Sequence, residues 1–389
     1  MATSATGSGG STAREAQGVG GVLTLVHGGP ASVEIQRAQG LASSLSHGRV
    51  RIIGREGSRG STALLWWRIL RETSPSLVYV INTAMPGGWL VPWWSRRHRV
   101  PYILDTGDLV YEMALESGVG AGWKLPLLKR VESMAQGRAA AIVVRGTRHR
   151  ELLMERGYRR VELIRDGYVE SGPVDADQVA SIRERLGLDG RFVVGVLGST
   201  VLSPRLQICY GWDLLRALAR LGDLPVTGLI VGDGDGLPWL RSEARRLGVE
   251  DRVRFAGRIP YADVQPMLRV FDIALSTQTN NRPGRVRTTG KLPEYMAAGR
   301  FIVASRVGEA ELLLPEPMLL DYEGAVDWGY PDRLAARIRE VFHDPTLRQL
   351  GATLPAKASA LCRYEVLSRQ FKALVHALSP RAVAEGGAA

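Results

Sequence analysis

The chain has 389 residues, 45% hydrophobic and 23% charged, the balance of a globular protein whose core is large enough to need no disulfide or metal staple. Its two cysteines, Cys209 and Cys362, exclude a disulfide-rich scaffold and a cysteine-based zinc site. The net charge of +11 is uneven: residues 1–168 hold 22 Lys and Arg against 13 Asp and Glu, the remainder 28 against 26. A basic first half predicts an acidic partner: nucleic acid, anionic lipid or a phosphorylated substrate.

Residues 1–18 are polar and Gly/Ser-rich and read as a disordered leader. Strands are predicted at Val22–Val26, Val50–Ile53, Leu77–Ile81, Tyr102–Leu104, Ala140–Val144 and Val161–Ile164. Between them lie helical patterns at Ser32–Leu45, Leu64–Leu70, Trp123–Gln136 and His149–Arg156, and loops at His27-Gly28-Gly29-Pro30, Asn82–Gly88 and Asp105–Asp108. Residues 169–178 carry Gly, Pro and acids without periodicity and read as a linker. The pattern then restarts, with strands at Phe192–Leu197, Val226–Val231, Val253–Phe255, Ile273–Ser276 and Phe301–Ala304. Helices are expected at Trp212–Ala219, Leu240–Leu247, Tyr261–Val270 and Leu292–Ala298. Short apolar strands alternating with helices predict parallel sheets covered on both faces. The expectation is an α/β chain of two Rossmann-like, doubly wound domains, 19–168 and 179–362, facing across a cleft. A last helix within 363–380 is expected to cross back to the first domain. No apolar run is long enough to span a bilayer.

The most informative segment is Gly290–Ser305, GKLPEYMAAGRFIVAS. A loop enters a helix at Lys291-Leu292-Pro293, where proline is tolerated because the first-turn N–H groups have no partner. Free N–H groups and the helix dipole favour an anion there, and Lys291 adds positive charge. Glu294 lies one turn in, where a carboxylate can accept bonds from two vicinal sugar hydroxyls. Phosphate at the helix tip and ribose on a carboxylate describe a nucleotide site. The plainer reading makes Glu294 an ordinary early-helix acid and Lys291 a solvated cation.

Here the sequence resembles the retaining glycosyltransferases of family four, which carry KLPEYMAAGKPVVAS or close variants. The run LIVGDGDGLPWLRSEARRLGVEDRVRFAGRIPYADVQPMLRVFDIALST follows the same family's order, and RVELIRDGYVE has Asp166-Gly167 where the family has Asn-Gly. The resemblance implies the GT-B fold and transfer of a sugar from a nucleoside-diphosphate donor in the second domain to an acceptor in the first, with retention. It implies no cofactor and no metal. Donor contacts fall on Gly198, Ser199, Gly232, Gly234, Arg258, Gly290, Lys291 and Glu294, acceptor contacts on His27, Gly28, Gly29, Asp105 and Asp108, and catalysis on Lys291, Arg205, Asp105 and Asp108. Gly232 and Gly234 also read as plain turn formers. Asp105 and Asp108 follow a strand end, where doubly wound folds place ligands, and read equally as a cap or turn. His27 with its two glycines reads as a phosphate or acceptor loop, or as a turn.

Three positions depart from the family. Val286 stands where a donor-sugar glutamate is usual, Gly198-Ser199 where Gly-Arg is usual, and Tyr210-Gly211 where Lys-Gly is usual. Arg205, or one of Arg282, Arg285 and Arg287, is expected to replace the missing charge. These losses keep open a pseudo-enzyme partner subunit without donor binding, and the fold also serves sugar-nucleotide epimerases. The acceptor is a lipid-linked saccharide, a surface polysaccharide or a small natural product. Trp66-Trp67 and WLVPWWSRRHR at 89–99 place tryptophans beside arginines, as an anionic membrane interface would require, or as core packing would. The expected setting is cytoplasmic, peripheral to the membrane. Nucleic acid is not expected as a partner, because no binding-module motif is present.

Overall fold

The computed structural model of the chain describes residues 20–29, 32–117, 122 and 124–382. The leader 1–18, Pro30 of the first loop and Trp123 at the start of an expected helix lie outside the described residues. The first sheet comprises β1 (Val22–Val26), β2 (Val50–Ile53), β3 (Leu77–Ile81), β4 (Tyr102–Thr106), β5 (Ala141–Val144) and β6 (Val161–Leu163) in the order β2-β1-β3-β4-β5-β6. The second comprises β7 (Phe192–Leu197), β8 (Val226–Val231), β9 (Val253–Gly257), β10 (Ile273–Ser276), β11 (Phe301–Ser305) and β12 (Leu319–Leu320) in the order β12-β11-β10-β7-β8-β9. Adjacent strands run parallel in both sheets. Two such sheets, flanked by helices, form the GT-B architecture. β1, β3, β4 and β5 are buried at every residue, which explains their unbroken apolar runs.

The structure has helices where the sequence reading has loop or linker. Gly87–His98 is one helix, although the Asn82–Gly88 loop and the following Trp/Arg cluster carry no helical expectation. Pro92 in its interior hid it, since proline removes a helical hydrogen bond. Burial of Leu90, Val91 and Trp94 against the sheet outweighs that loss. Helix Val110–Ser117 follows β4 directly, and helix Ala176–Leu186 begins inside the stretch read as linker.

Asp105, expected as an acceptor or catalytic contact, is held in a buried network of ion pairs and hydrogen bonds. It is fully buried at the end of β4. One carboxylate oxygen accepts from Arg37 Nε at 2.9 Å and from the Tyr79 hydroxyl at 2.7 Å; the other accepts from Arg145 Nε at 3.1 Å. Burial alone would raise its pKa, but the two guanidiniums outweigh burial and hold it below the usual carboxylate range. Arg37, on helix Val33–Ala42, also donates to the carbonyls of Arg165 at 2.7 Å and Ile164 at 2.8 Å, tying β4 to the end of the first domain.

Helix Tyr364–Leu378 returns to this domain. Its Phe371 packs on Tyr79 at 4.7 Å between ring centroids, and Tyr364, Leu367 and Leu374 join the same core. A Cβ on Gly40 would lie 2.4 Å from the Tyr364 ring, so Gly40 permits the close helix approach. The crossing segments are zipped by Tyr168 N–H to the Cys362 carbonyl (3.1 Å) and Tyr364 N–H to the Tyr168 carbonyl (3.2 Å).

Removing one partner of a buried ion pair leaves the other charge uncompensated, at a cost of about 3–5 kcal/mol. Asp105→Ala is therefore expected to lower the urea midpoint of unfolding by that much stability. An unchanged midpoint would remove Asp105 from its structural role.

Candidate active site

In doubly wound sheets, ligands bind beyond the carboxyl ends of the strands where the strand order reverses. In the second sheet that point lies between β7 and β10. Helix Lys291–Ala297 brings its first turn to this point. The Lys291 ammonium lies over the Tyr210 ring, 3.5 Å from its centroid, where a cation meets the negative face of the π-system. It also sits at Gly198, the first residue beyond β7. A Cβ there would come within 2.6 Å of Lys291 Nζ, and the backbone has φ +153°, so the position favours glycine on both counts. One turn further, the Tyr295 hydroxyl accepts from Leu197 N–H at 2.7 Å. Lys291 and Tyr295 are four residues apart and so share a helix face, and both reach the tip of β7. Glu294 leaves that helix in a different direction. Its two oxygens accept from the Tyr261 hydroxyl and from Gln265 Nε2, each at 2.6 Å.

Both ionisable groups are shifted toward neutrality. Burial, with Arg287 nearby, pulls Lys291 down to about 7 against an opposing pull from Asp213. Burial pushes Glu294 up to about 6, although the hydrogen bonds from Tyr261 and Gln265 favour its carboxylate form. Asp213, in the first turn of helix Trp212–Leu218, is buried and accepts from Thr277. The arrangement offers a half-buried cation for an anionic ligand and a fixed carboxylate for hydroxyl groups. Tyr261 also accepts from Val169 N–H at 3.2 Å, linking the Glu294 side of the site to the chain between the domains.

The remaining residues expected at the donor surround this point in different roles. Gly232 and Gly234 permit close backbone approach: a Cβ would lie 1.8 Å from the Gly198 carbonyl oxygen and 2.6 Å from that of Thr200, respectively. They pack the β8 loop against the β7 loop. Ser199 is exposed at the tip of the β7 loop, Arg258 is exposed after β9, and Gly290 is exposed just before Lys291, with open space around its Cα.

Arg205 is engaged away from Gly198. Its Nη1 crosses the cleft to the carbonyls of Leu115 (3.3 Å) and Glu116 (3.1 Å). Arg282 pairs with Glu112 at 3.6 Å and Arg287 with Asp108 at 3.2 Å, while Arg285 donates to Asn280 at 2.7 Å. Three of the four candidate arginines thus face helix Val110–Ser117 and its preceding loop. The charge at the end of β7 comes from Lys291. Val286 is buried, and its carbonyl lies 3.2 Å from where a Cβ on Gly146 would be, so this position packs against the first domain.

In the first domain, the strand order reverses between β1 and β3. His27 bridges that crevice. Its Nδ1 lies 2.8 Å from the Ile81 carbonyl, and its Nε2 accepts from Gly87 N–H at 3.2 Å. Those partners require the neutral ring, in keeping with a pKa lowered by burial. His27 therefore braces the start of helix Gly87–His98. Gly28 is half-buried, and a Cβ on it would lie 2.0 Å from Ser32 Oγ; Gly29 is exposed with open space at its Cα. Asp108 faces the cleft and is the acid of the first domain that meets Arg287. Among the described residues there is no group of three or more His, Cys, Asp or Glu that could hold a metal ion.

Sequence reasoning did not find Tyr261, Gln265, Asp213 and Thr277. Tyr261 and Gln265 lie about 30 residues before Glu294 and meet it only through the fold, so no local spacing marks them. Tyr210 read as a lost cation; its ring is the surface on which Lys291 rests.

Residues 204–344 match the family model described as glycosyl transferases group 1. A 2-deoxystreptamine glucosyltransferase of Streptomyces kanamyceticus is 26% identical over 234 residues, covering 57% of this chain and 56% of that protein, so the chain spans little more than half of this curated relative. Anabaena HepE in complex with UDP and glucose has a TM-score of 0.72 at 20% identity, over 91% of this chain and 98% of its own. WaaG, a glycosyltransferase involved in lipopolysaccharide biosynthesis, has a TM-score of 0.66 at 14% identity, over 90% and 99%. The chain therefore has the GT-B fold, and residues 204–344 in its second domain match the group 1 glycosyl transferase model.

Proposed function

We propose that this protein is a retaining glycosyltransferase that takes a sugar from a nucleoside-diphosphate donor and passes it to an acceptor hydroxyl. The observation that carries the reading is the Lys291 ammonium at Gly198, with Glu294 fixed one turn away, at the strand-order reversal of the second sheet. The diphosphate lies against Lys291, where a preorganised charge in a water-poor site stabilises the departing group. Glu294 accepts from the ribose hydroxyls. The bond between the anomeric carbon and the diphosphate oxygen breaks. The acceptor oxygen bonds from the same face, and its proton goes to the departing phosphate. No cofactor takes part.

Two likenesses support a uridine donor carrying glucose as the first to try: HepE is known in complex with UDP and glucose, and the Streptomyces relative is a glucosyltransferase. The acceptor belongs to a lipid-linked saccharide, a surface polysaccharide or a small natural product, and enters from the His27 and Asp108 side of the cleft.

The reading is tested by thermal stabilisation with a panel of nucleoside diphosphates and nucleotide sugars, since a ligand of the folded state raises the melting temperature. Selective stabilisation by one nucleotide is expected. Glu294→Ala should weaken it by about tenfold or more, the scale of losing a hydrogen bond to a charged group. Gly198→Ala should weaken it similarly, because its Cβ would meet Lys291 Nζ at 2.6 Å. Stabilisation by none of the panel would favour a pseudo-enzyme partner, the reading motivated by Val286 and Tyr210. Conversion of the donor to an isomer without acceptor would favour an epimerase.

A further inference from the structure

We infer that the face shared by helices Arg59–Thr73 and Gly87–His98 docks on an anionic lipid bilayer. On the first helix, Leu64, Arg68 and Arg71 are exposed; on the second, Trp89, Trp93, Arg96 and Arg97 are exposed. Spacings of three, four and seven residues put each set on one stripe of its helix. Trp67 and Trp93 touch, with centroids 5.3 Å apart, so the two stripes form one surface. The opposite faces are committed elsewhere: Trp66, Ile69, Leu70, Leu90, Val91 and Trp94 fill the core against the sheet. The sequence alternative of core packing therefore holds for Trp66 and Trp94 but not for the outward indoles.

The outward surface is apolar at its centre and cationic around it. Leu64 is 73% exposed, Trp93 48% and Trp89 39%. The two helices carry a single acid, Glu72, paired with Arg68 at 3.8 Å. Indoles settle at headgroup depth and arginines meet anionic lipid, so the charge and the rings ask for the same partner. No helix of the described residues is long and apolar enough to cross a membrane; the contact is with the surface. Gly87, bonded to His27, starts the second helix at the first-domain crevice. The exposed Met85 and Trp89 therefore sit near the lip of the cleft, and docking sets that crevice beside the lipid. The inference stands apart from the proposed reaction, since it concerns a face outside the donor site.

The test is co-sedimentation of the full chain with vesicles of phosphatidylcholine alone and of phosphatidylcholine mixed with phosphatidylglycerol. Binding to the mixed vesicles is expected, with little to the neutral ones, and it should weaken as salt screens the charges. Trp89→Ser with Trp93→Ser, and separately Arg96→Gln with Arg97→Gln, should each weaken it about tenfold or more. The arginine pair is exposed, and its substitution is expected to leave the fold intact, as an unchanged melting temperature will show. Absence of binding, or binding that neither pair alters, would overturn the inference. Concentration-dependent dimerisation abolished by Trp93→Ser would overturn it too, by assigning the face to a second copy of the chain.

Discussion

The placement of one ammonium group organises the second domain's end of the cleft. Lys291 is carried by the first turn of a short helix, laid over the Tyr210 ring and brought against Gly198. That position requires a residue without Cβ at the end of β7, and the Gly232 and Gly234 close approaches hold the neighbouring loop against it. The same helix turn places Tyr295 on the β7 backbone and Glu294 on Tyr261 and Gln265. A displaced Lys291 would disturb all of these contacts, because they share one rigid turn.

The first domain is held by a different device. Asp105 gathers Arg37, Arg145 and Tyr79 at the carboxyl end of the interior strand β4, and Arg37 extends the network to the carbonyls at the domain's end. Nearby, Glu309 of the second domain accepts from Thr147 N–H and from Arg165 at 3.0 Å, and Thr288 donates to Asp166 at 2.7 Å. Residues next to the buried network thus form the contact between domains. Across the open side, Asp108, Glu112 and the Leu115 and Glu116 carbonyls hold Arg287, Arg282 and Arg205. Polar and charged contacts thus bridge the two domains, while Lys291 lies at the end of β7.

The alternating strands and helices were legible because each strand is a buried apolar run and each carries its own signal. The placement of Lys291 and Glu294 in one helical turn was legible for a related reason, since turn spacing is visible in sequence. What escaped depends on distance along the chain. Asp105 follows a strand end just as a ligand-binding acid would, and only the fold brings Arg37 and Arg145 to it. Arg205 stood in the right loop to bind phosphate, yet its side chain answers to carbonyls some 90 residues away. The helix Gly87–His98 was masked by Pro92, a local signal that tertiary burial overrides.

In the proposed reaction Lys291 receives the donor's diphosphate. The free ammonium has a pKa pulled down to about 7 by burial, and an adjacent diphosphate raises it again. Binding above pH 7 must then take up a proton, and affinity must fall as pH rises beyond that point. Calorimetric titration with UDP-glucose at about pH 8, in buffers of different ionisation enthalpy, counts that proton. Uptake of close to one proton by the wild type, lost in Lys291→Met, is the predicted result. Binding without proton uptake, or uptake unchanged by the substitution, would contradict it.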